Sequence, residues 1–293
     1  MSKIREELFI SDFHRLFKKN GLSIEVIESF QKIIYEFYRI HKRKFPFREK
    51  ISPYNVLVSE IMLQQTQTGR VSEKFRNFIE KFPDFISLSQ ASVEDILKEW
   101  KGLGYNRRAL ALKRIAEIII NEYNGKLPDS VDTLKKLPQI GNNTASSIIA
   151  FAFNKPTIFI ETNIRTVFIY FFFPYKEKVK DKDILSIVQE TIDKSNPRKW
   201  YYALMDYGVM LKKTHPELKK RSAHYRKQAP FRGSNRQIRG KLIEILIKEG
   251  SIEISKIQQK LKVINPDRIK KVLDQLKKEG FIDIKERTVK FTK

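Results

Sequence analysis

The sequence predicts a mainly α-helical protein that ends in a winged-helix domain. From residue 24 to about residue 210, apolar residues recur at intervals of three and four, which is the period of helices that pack one face into a core. Residues 137–145 (LPQIGNNTA) interrupt this pattern with the proline and glycine spacing of a helix-hairpin-helix. Beyond residue 236, three helical patterns are followed by two short strand patterns.

Composition limits the possible partners and sites. The chain has 293 residues and 41% hydrophobic content, enough to bury a sizeable core in two or three domains. Its formal net charge of +24 indicates an anionic partner, with double-stranded DNA as the first expectation. The sequence shows neither an apolar run of membrane-spanning length nor a signal-peptide core. We therefore expect a cytoplasmic monomer that contacts no membrane.

The chain contains no cysteine. This excludes disulfides, thiolate zinc sites, cysteine-ligated iron–sulfur clusters and cysteine nucleophiles. The four histidines (His14, His41, His215 and His224) are scattered and do not have the spacing of metal ligands. We expect no metal and no cofactor, so that catalysis would fall to carboxylates or hydroxyls.

Changes in composition suggest the order of domains. Residues 1–23 are predicted to form an N-terminal arm, and residues 24–211 are predicted to form a helical domain. Within that domain, we assign 157–160 and 168–173 to helix or loop rather than strand. Residues 212–235 are predicted to be a basic linker, since 212–239 hold ten lysines and arginines against one acid. A tether and a phosphate-binding stretch both fit this composition.

Residues 236–293 are predicted to form the winged helix. Two of its three helices end at glycines, Gly250 and Gly280. The third helix carries several cations, among them Lys271, which suits a helix lying in or near a DNA groove, although a protein-binding or solvated face remains possible. The predicted helices span 237–249, 255–261 and 266–278, and the hairpin pairs 281–284 with 288–291.

The hairpin at 137–145 is a candidate phosphate-binding site. Its tight turn is expected to need Gly141, and the small residues that follow begin the next helix. Such a turn directs backbone N–H groups outward, where they can hold a phosphate. Taken alone, the pattern also fits an ordinary loop between two packed helices.

Glu60 is a candidate general acid. It lies within the largely apolar helical segment 55–67, where desolvation disfavours the ionised form of a carboxyl and can leave it protonated near neutral pH. The alternative places Glu60 on a solvent-facing polar stripe with Gln64 and Gln67.

Glu161 is the candidate second carboxylate. It follows the apolar run 157–160 and precedes a helix that Thr162 or Asn163 is expected to cap. The helix dipole favours a negative charge there, although simple helix capping is an alternative reading. One carboxyl kept neutral and one kept charged is the pair that cleavage of a glycosidic bond requires.

Residues 25–210 resemble the helix-hairpin-helix DNA glycosylase superfamily, and within it the MutY-type adenine DNA glycosylases. The most specific motif is the string at 59–67. The motifs that carry the resemblance are 46–48 (PFR), 53–54 (PY), 59–67 (SEIMLQQTQ), 100–105 (WKGLGY), 137–145 (LPQIGNNTA) and 203–208 (ALMDYG).

The resemblance implies a two-lobe helical fold that flips the target base out of the duplex. Glu60 matches the acid that protonates the leaving purine, and Glu161 the carboxylate that faces the sugar. Gln65 and Tyr105 match residues that wedge into the duplex, and Gln64, Thr66 and Asn143 are assigned with them to the base pocket. The candidate DNA contacts, whether at the hairpin or among the cations, are Gln139, Gly141, Asn142, Thr144, Arg48, Arg165, Lys212, Lys213, Arg226 and Lys271.

Some positions depart from the family pattern. Glu161 stands where the family has aspartate, Gln139 replaces the first hairpin glycine, and Phe47 replaces a tryptophan. Asn143 stands where bifunctional relatives carry a lysine nucleophile, which implies a monofunctional enzyme that leaves an abasic site.

Two larger departures concern whole segments. The iron–sulfur loop expected after residue 210 is absent, and the lysines of 211–221 are expected to take over its phosphate contacts. The winged helix stands in place of the domain that recognises 8-oxoguanine. The expected function is removal of adenine mispaired with guanine or 8-oxoguanine, with a thymine/guanine mismatch glycosylase and a non-catalytic DNA-binding protein as alternatives.

Overall fold

The structure, a computed structural model, describes residues 3–226 and 230–292 and is mainly helical, as the sequence predicts. The helices in chain order are α1 (Lys3–Asn20), α2 (Ile24–His41), α3 (Pro46–Glu49), α4 (Pro53–Leu63), α5 (Thr68–Lys81), α6 (Phe85–Gln90), α7 (Val93–Trp100), α8 (Arg107–Tyr123), α9 (Val131–Leu134), α10 (Asn142–Phe153), α11 (Thr162–Phe172), α12 (Asp181–Thr191), α13 (Pro197–Thr214), α14 (Asn235–Glu249), α15 (Ile254–Lys260) and α16 (Pro266–Lys278). A short 3₁₀ helix spans Pro216–Arg221, and the strands are β1 (Ser251–Glu253), β2 (Ile282–Lys285) and β3 (Thr288–Phe291).

The chain divides into two compact units, each assembled from separate stretches. The first unit comprises Met1–Val56, Asp129–Lys136 and Ile140–Lys227. The second comprises Leu57–Pro128, Leu137–Gln139 and Gln228–Lys293. Within the described residues, no helix has both the length and the apolar character needed to cross a membrane.

An aromatic cluster forms the core of the first unit. The Phe30 ring on α2 meets the rings of Phe171 and Phe172 on α11 at centroid distances of 5.0 and 4.9 Å, and that of Trp200 on α13 at 5.6 Å. Phe13 on α1 is fully buried and lies 5.1 Å from Phe171 edge to face. Such pairs add to the free energy gained from burial alone. The predicted N-terminal arm is therefore a helix that contributes to this core.

The prediction that segments 157–160 and 168–173 are helix or loop, and not strand, is confirmed. Residues 157–160 belong to no helix or strand, and Phe168 to Phe172 complete α11. The apolar residues of α11 are buried on nearly every side, which explains why their pattern resembles a strand.

The predicted basic linker at 212–235 is wrong over its first half. Lys212 and Lys213 belong to the last turn of α13, and the 3₁₀ helix that follows buries Leu218. The Arg221 guanidinium donates to the carbonyl of Phe173, and the Val179 amide donates to the Arg221 carbonyl at 2.7 Å. Hydrogen bonds and apolar burial therefore fix this segment to the first unit.

The C-terminal segment (residues 230–292) has the element order of a winged helix. Helices α14, α15 and α16 accompany a three-stranded antiparallel sheet with the strand order β1-β3-β2. Ile252 of β1 and Ile284 of β2 both pair with the buried Val289 of β3. The sequence prediction missed β1, which is only three residues long and leaves no readable alternation.

Ion pairs fasten the C-terminal segment within the second unit. Glu279, just after α16, pairs with Arg107 of α8 and Arg239 of α14. Its backbone carbonyl accepts a hydrogen bond from Arg114 Nη2 at 3.2 Å. Burial opposes ionisation of Glu279, but the hydrogen bonds from the two arginines outweigh it and lower the pKa. Lys101 adds a contact at 2.7 Å to Glu244 of α14.

Candidate active site

Helix α4 carries Glu60 as its one charged residue. Ser59 and Ile61, its neighbours, are 3% and 0% exposed, whereas Glu60 is half-buried. The buried helix predicted over 55–67 is thus confirmed as far as Leu63, with a carboxyl group at its partly accessible edge.

The chain after α4 turns sharply at Gln65, whose φ of 55° is left-handed. A left-handed residue other than glycine carries strain and marks a local constraint. The Gln65 side chain is exposed, and the neighbouring Gln64 side-chain amide donates to the Gln139 carbonyl at 3.3 Å. The predicted wedge residue therefore stands at the outer end of a fixed turn.

Tyr105 occupies a second left-handed turn, between α7 and α8. Tyr105 has a φ of 48°, and the preceding Gly104 has a φ of 72°. The Tyr105 side chain is 38% exposed. The Trp100 indole N–H donates to the Gly104 carbonyl at 3.0 Å and fixes the start of the turn. The exposure expected for Tyr105 is observed.

The Arg108 guanidinium joins these two turns and was not identified from the sequence. Arg108 is 4% exposed, and burial lowers its pKa to about 10, so it remains charged at neutral pH. The cation also compensates the carbonyl end of α4. Its acceptors are the carbonyls of Ile61 (2.8 Å), Met62 (2.8 Å), Gln64 (2.6 Å), Leu103 (3.3 Å) and Gly104 (3.0 Å) and the hydroxyl of Thr66 (3.0 Å).

Thr66, predicted in the base pocket, lies within this network. Its hydroxyl accepts from Arg108 and lies within hydrogen-bond distance of the Leu103 carbonyl at 3.3 Å. Thr66 thus ties the loop after α4 to the loop before α8. The sequence offers no signal that separates Arg108 from the adjacent Arg107, which pairs with Glu279 instead.

The hairpin forms as predicted, but its left-handed residue is Gln139 rather than Gly141. Gln139 has a φ of 61°, whereas Gly141 has a φ of −89° and is the N-cap residue of α10. A Cβ added at Gly141 would meet no atom within 4 Å. The expectation that the turn needs a glycine at 141 is therefore wrong, because the fold itself does not require one there.

The first turn of α10 presents the remaining hairpin candidates. Asn142 and Asn143 are exposed, and Thr144 is half-buried. The Asn143 side-chain amide donates to the carbonyl of Ile160 at 3.0 Å, which links the start of α10 to the residue before Glu161.

Glu161 is itself the N-cap of α11, so the expectation of a cap at Thr162 or Asn163 is wrong. Its Oε1 accepts hydrogen bonds from the backbone N–H groups of Asn163 (2.7 Å) and Ile164 (2.9 Å), and its Oε2 accepts from Asn163 Nδ2 (3.0 Å). The longer glutamate side chain reaches both amides. The cap holds this carboxylate in a fixed position at the positive end of the helix dipole.

Lys212 supports this carboxylate from α13. Its Nζ donates to Asn163 Oδ1 at 2.7 Å, and burial lowers the pKa of Lys212 although the Glu161 charge opposes that shift. Lys212, predicted as a DNA contact, instead completes an internal chain of polar groups. Gly208 allows this approach of α13 to α11, since a Cβ there would lie 2.4 Å from the Asn163 carbonyl oxygen.

Two further predicted DNA contacts are internal ion pairs. Arg48 lies 3.0 Å from the buried Asp206 carboxylate and stacks over Tyr202, with 9% of its side chain exposed. Arg165 pairs with Asp181 through two bonds of 2.7 and 2.8 Å, which lower the pKa of Asp181. Both guanidinium groups are engaged within the first unit, and their assignment as DNA contacts stays a prediction.

The remaining cationic candidates Lys213, Arg226 and Lys271 are exposed. Across residues 3–226 and 230–292, no three histidine, aspartate or glutamate side chains gather as a possible metal site. The second unit brings together Gln64, Gln65, Thr66, Tyr105 and Gln139, and the first unit brings together Asn143 and Glu161.

The described residues thus hold a helix-hairpin-helix, a carboxyl group on a buried helix and a carboxylate that caps a helix. Residues 58–193 match the family described as HhH-GPD superfamily base excision DNA repair protein.

Curated relatives extend the match. An adenine DNA glycosylase of Buchnera aphidicola subsp. Baizongia pistaciae is 34% identical over 186 residues, covering 62% of this chain and 52% of that relative. A thymine/uracil-DNA glycosylase of Methanothermobacter thermautotrophicus is 28% identical, covering 62% of this chain and 84% of that protein. The chain thus spans about half the length of the first of these relatives.

A solved structure supports the same fold. A thermostable thymine-DNA glycosylase aligns with a TM-score of 0.57 and 24% identity, covering 68% of this chain and 96% of that chain. At this identity the likeness establishes the fold.

Replacing Arg108 with methionine should strongly destabilise the protein, because the substitution leaves several carbonyls without their donor. We expect a loss of about 3 kcal/mol or more in the free energy of unfolding, measured by urea denaturation. Arg70→Met, at an exposed position on α5, is the matched control and should change stability by less than about 0.5 kcal/mol. Equal effects of the two substitutions would contradict the role of Arg108.

Gly208→Ala should disturb the Glu161 cap, because the new methyl group would overlap the backbone at Asn163. We expect a destabilisation of about 1–3 kcal/mol by thermal or urea unfolding. Gly240→Ala, in open space on α14, is the control and should stabilise the protein by about 0.5–1 kcal/mol. If Gly208→Ala were neutral, α13 and α11 would not meet as closely as described.

Proposed function

We propose that this protein is a monofunctional DNA glycosylase that hydrolyses the N-glycosidic bond of adenine mispaired with guanine or 8-oxoguanine. The observation that carries the proposal is the contrast between two carboxyl groups. Glu60 lies half-buried on an apolar helix, and Glu161 is held by two backbone amides at the positive end of α11. Glycosidic cleavage needs one neutral and one charged carboxyl, and we assign these two roles to Glu60 and Glu161.

Glu60 is the proposed general acid. As the bond between the sugar C1′ and the base nitrogen breaks, its electron pair moves onto the purine, which accepts the proton from Glu60. Water then adds to C1′ and releases a proton, so the products are free adenine and an abasic site. General acids of this kind contribute roughly 10²–10⁴-fold to the rate.

Glu161 is the proposed electrostatic stabiliser of the oxocarbenium-like sugar. The cap holds Oε1 in place, and Lys212 orients Asn163, which in turn binds Oε2. A charge fixed before the reaction requires no reorganisation when positive charge develops on the sugar. The N-cap geometry offers a physical account of why glutamate can serve where the family pattern has aspartate.

Asn143 supports the monofunctional assignment. Its side chain is an amide and is engaged with the Ile160 carbonyl. An amide nitrogen is not nucleophilic, so no Schiff base with the sugar would form at this position.

DNA binding is proposed to centre on the hairpin. Helix N-termini offer backbone amides to anions, and the open space beside Gly141 leaves room for a phosphate to approach the backbone at the start of α10. The exposed cations Lys213, Arg226 and Lys271 and the net charge of +24 favour duplex binding. Gln65 and Tyr105, both on left-handed turns, are the proposed wedge that fills the space of the flipped base.

The likeness to the thymine/uracil-DNA glycosylase of Methanothermobacter thermautotrophicus favours a second candidate, excision of thymine or uracil from mismatches with guanine. A panel of duplexes with adenine, thymine or uracil opposite guanine, 8-oxoguanine or cytosine separates the two by the identity of the released base.

Glu60→Gln should lower single-turnover release of adenine by about 10²–10⁴-fold, because the amide cannot donate an acidic proton. The measurement is base release from the mismatch panel, followed by alkali cleavage of the abasic strand. Glu161→Gln keeps an oxygen for the helix cap but removes the charge, so it should also reduce the rate while unfolding at nearly the parent urea concentration. Full activity in Glu60→Gln would exclude it as the acid.

Gly141→Ala should weaken duplex binding without unfolding the protein. The methyl group meets no protein atom, so we expect a stability change below about 1 kcal/mol but a several-fold loss of affinity in fluorescence anisotropy. Gly69→Ala, also beside open space, is the control for the glycine change. Unchanged affinity in Gly141→Ala would argue against a phosphate at the hairpin.

A further inference from the structure

Arg236 on the first turn of α14 reaches the Tyr105 turn. Its Nη1 lies 3.3 Å from the Tyr105 hydroxyl oxygen, to which it donates, and the side chain is half-buried. The contact joins two segments of the second unit that are 131 positions apart in sequence. Neither the hairpin nor the carboxylates require it.

Two arginines therefore contact the Tyr105 side chain. The guanidinium carbon of the buried Arg108 lies 5.4 Å from the Tyr105 ring centroid. Arg236 donates to the hydroxyl. A ring restrained by two contacts loses less conformational entropy on entering a stack of bases than a free ring would.

The turn that carries Arg236 is itself ordered by hydrogen bonds. Arg268 Nη2 donates to the Gly233 carbonyl at 2.9 Å and to Asn235 Oδ1 at 2.8 Å. The Gly233 amide donates to Gln237 Oε1 at 2.7 Å. The start of α14 is thus fixed to α16, and Glu279 fixes both helices to α8.

Phe231 adds an exposed aromatic surface at this position. Its side chain is 59% exposed, and the Arg236 guanidinium carbon lies 5.9 Å from its ring centroid. An exposed ring beside a guanidinium group is typical of surfaces that stack on unpaired bases. Tyr105, Arg236 and Phe231 thus form one cationic and aromatic cluster.

We propose that Arg236 is a positioning residue for Tyr105, through which the C-terminal segment helps to discriminate the base left unpaired in the strand opposite the excised adenine. The proposal rests on the proposed glycosylase function. The unpaired purine is the ligand: Tyr105 supports it by stacking, and the orientation of that ring depends on the guanidinium of α14. Discrimination between opposite bases then depends on a residue outside the helix-hairpin-helix domain.

A double-mutant cycle in the full chain tests this coupling. Arg236→Ala and Tyr105→Phe each remove one partner of the hydrogen bond, and each should lower the single-turnover rate opposite guanine about threefold to tenfold. The rate for adenine opposite cytosine should fall less, so the ratio of the rate opposite guanine to the rate opposite cytosine should decrease. The double variant should be no slower than either single variant, because both lose the same interaction.

Controls separate positioning from charge and from stability. Arg232→Ala removes an exposed cation of the same segment and should leave the ratio of the two rates unchanged. Arg236→Lys retains a donor and should restore part of the ratio. Additive effects of Arg236→Ala and Tyr105→Phe, or an unchanged ratio in Arg236→Ala, would overturn the proposal.

A second readout is independent of chemistry. A 2-aminopurine placed next to the mismatch reports unstacking of the bases through its fluorescence. Introducing Arg236→Ala into the protein that retains Tyr105 should reduce this fluorescence signal. Introducing it into the Tyr105→Phe variant should leave the signal unchanged. If the unaltered protein releases no base from any duplex, the proposed glycosylase function fails, and the fluorescence cycle still decides whether Arg236 acts through Tyr105.

Discussion

One buried guanidinium group organises the part of this protein that is proposed to enter DNA. Arg108 supplies donors to the carbonyls that end α4 and to those that precede Tyr105, so two strained turns share a single rigid anchor. Each left-handed turn would cost free energy if it were unsupported. Because the anchor retains its charge, it compensates several carbonyls at once, which a neutral donor could not do. The turns of Gln65 and Tyr105 are therefore shaped before any ligand arrives.

Around the second carboxylate, Glu161, one set of contacts likewise serves more than one purpose. The N-cap of α11 determines where the charge of Glu161 sits, and Gly208 determines how closely α13 can bring Lys212 to the neighbouring Asn163. A capping role and a catalytic role are often treated as alternatives. Here a single set of hydrogen bonds serves helix stability and would also hold an anion ready for a cationic sugar, so the two roles reinforce each other.

The sequence predicted the helices and the hairpin well, because apolar periodicity and proline–glycine punctuation are local signals. It also located Glu60 on a buried helix. It gave no sign of contacts that depend on partners distant in sequence. Nothing in the sequence near Arg48 indicates its ion pair with Asp206, and nothing near Arg165 indicates its ion pair with Asp181. Sequence inspection likewise assigned the constrained backbone of the hairpin to its glycine, although Gln139 adopts it. Glutamine can take this conformation at a modest energetic cost that the sequence does not disclose.

The segment after α13 has a consequence for the conditions under which the protein can work. Leu218 and the contacts of Arg221 with Phe173 and Val179 hold it in place through carbonyls, amides and a buried aliphatic side chain. None of these groups is a thiol, and the chain has no cysteine. Peroxide or oxygen therefore has no thiol to oxidise among these contacts. We expect the segment to stay in place under the same oxidative stress that damages guanine in DNA.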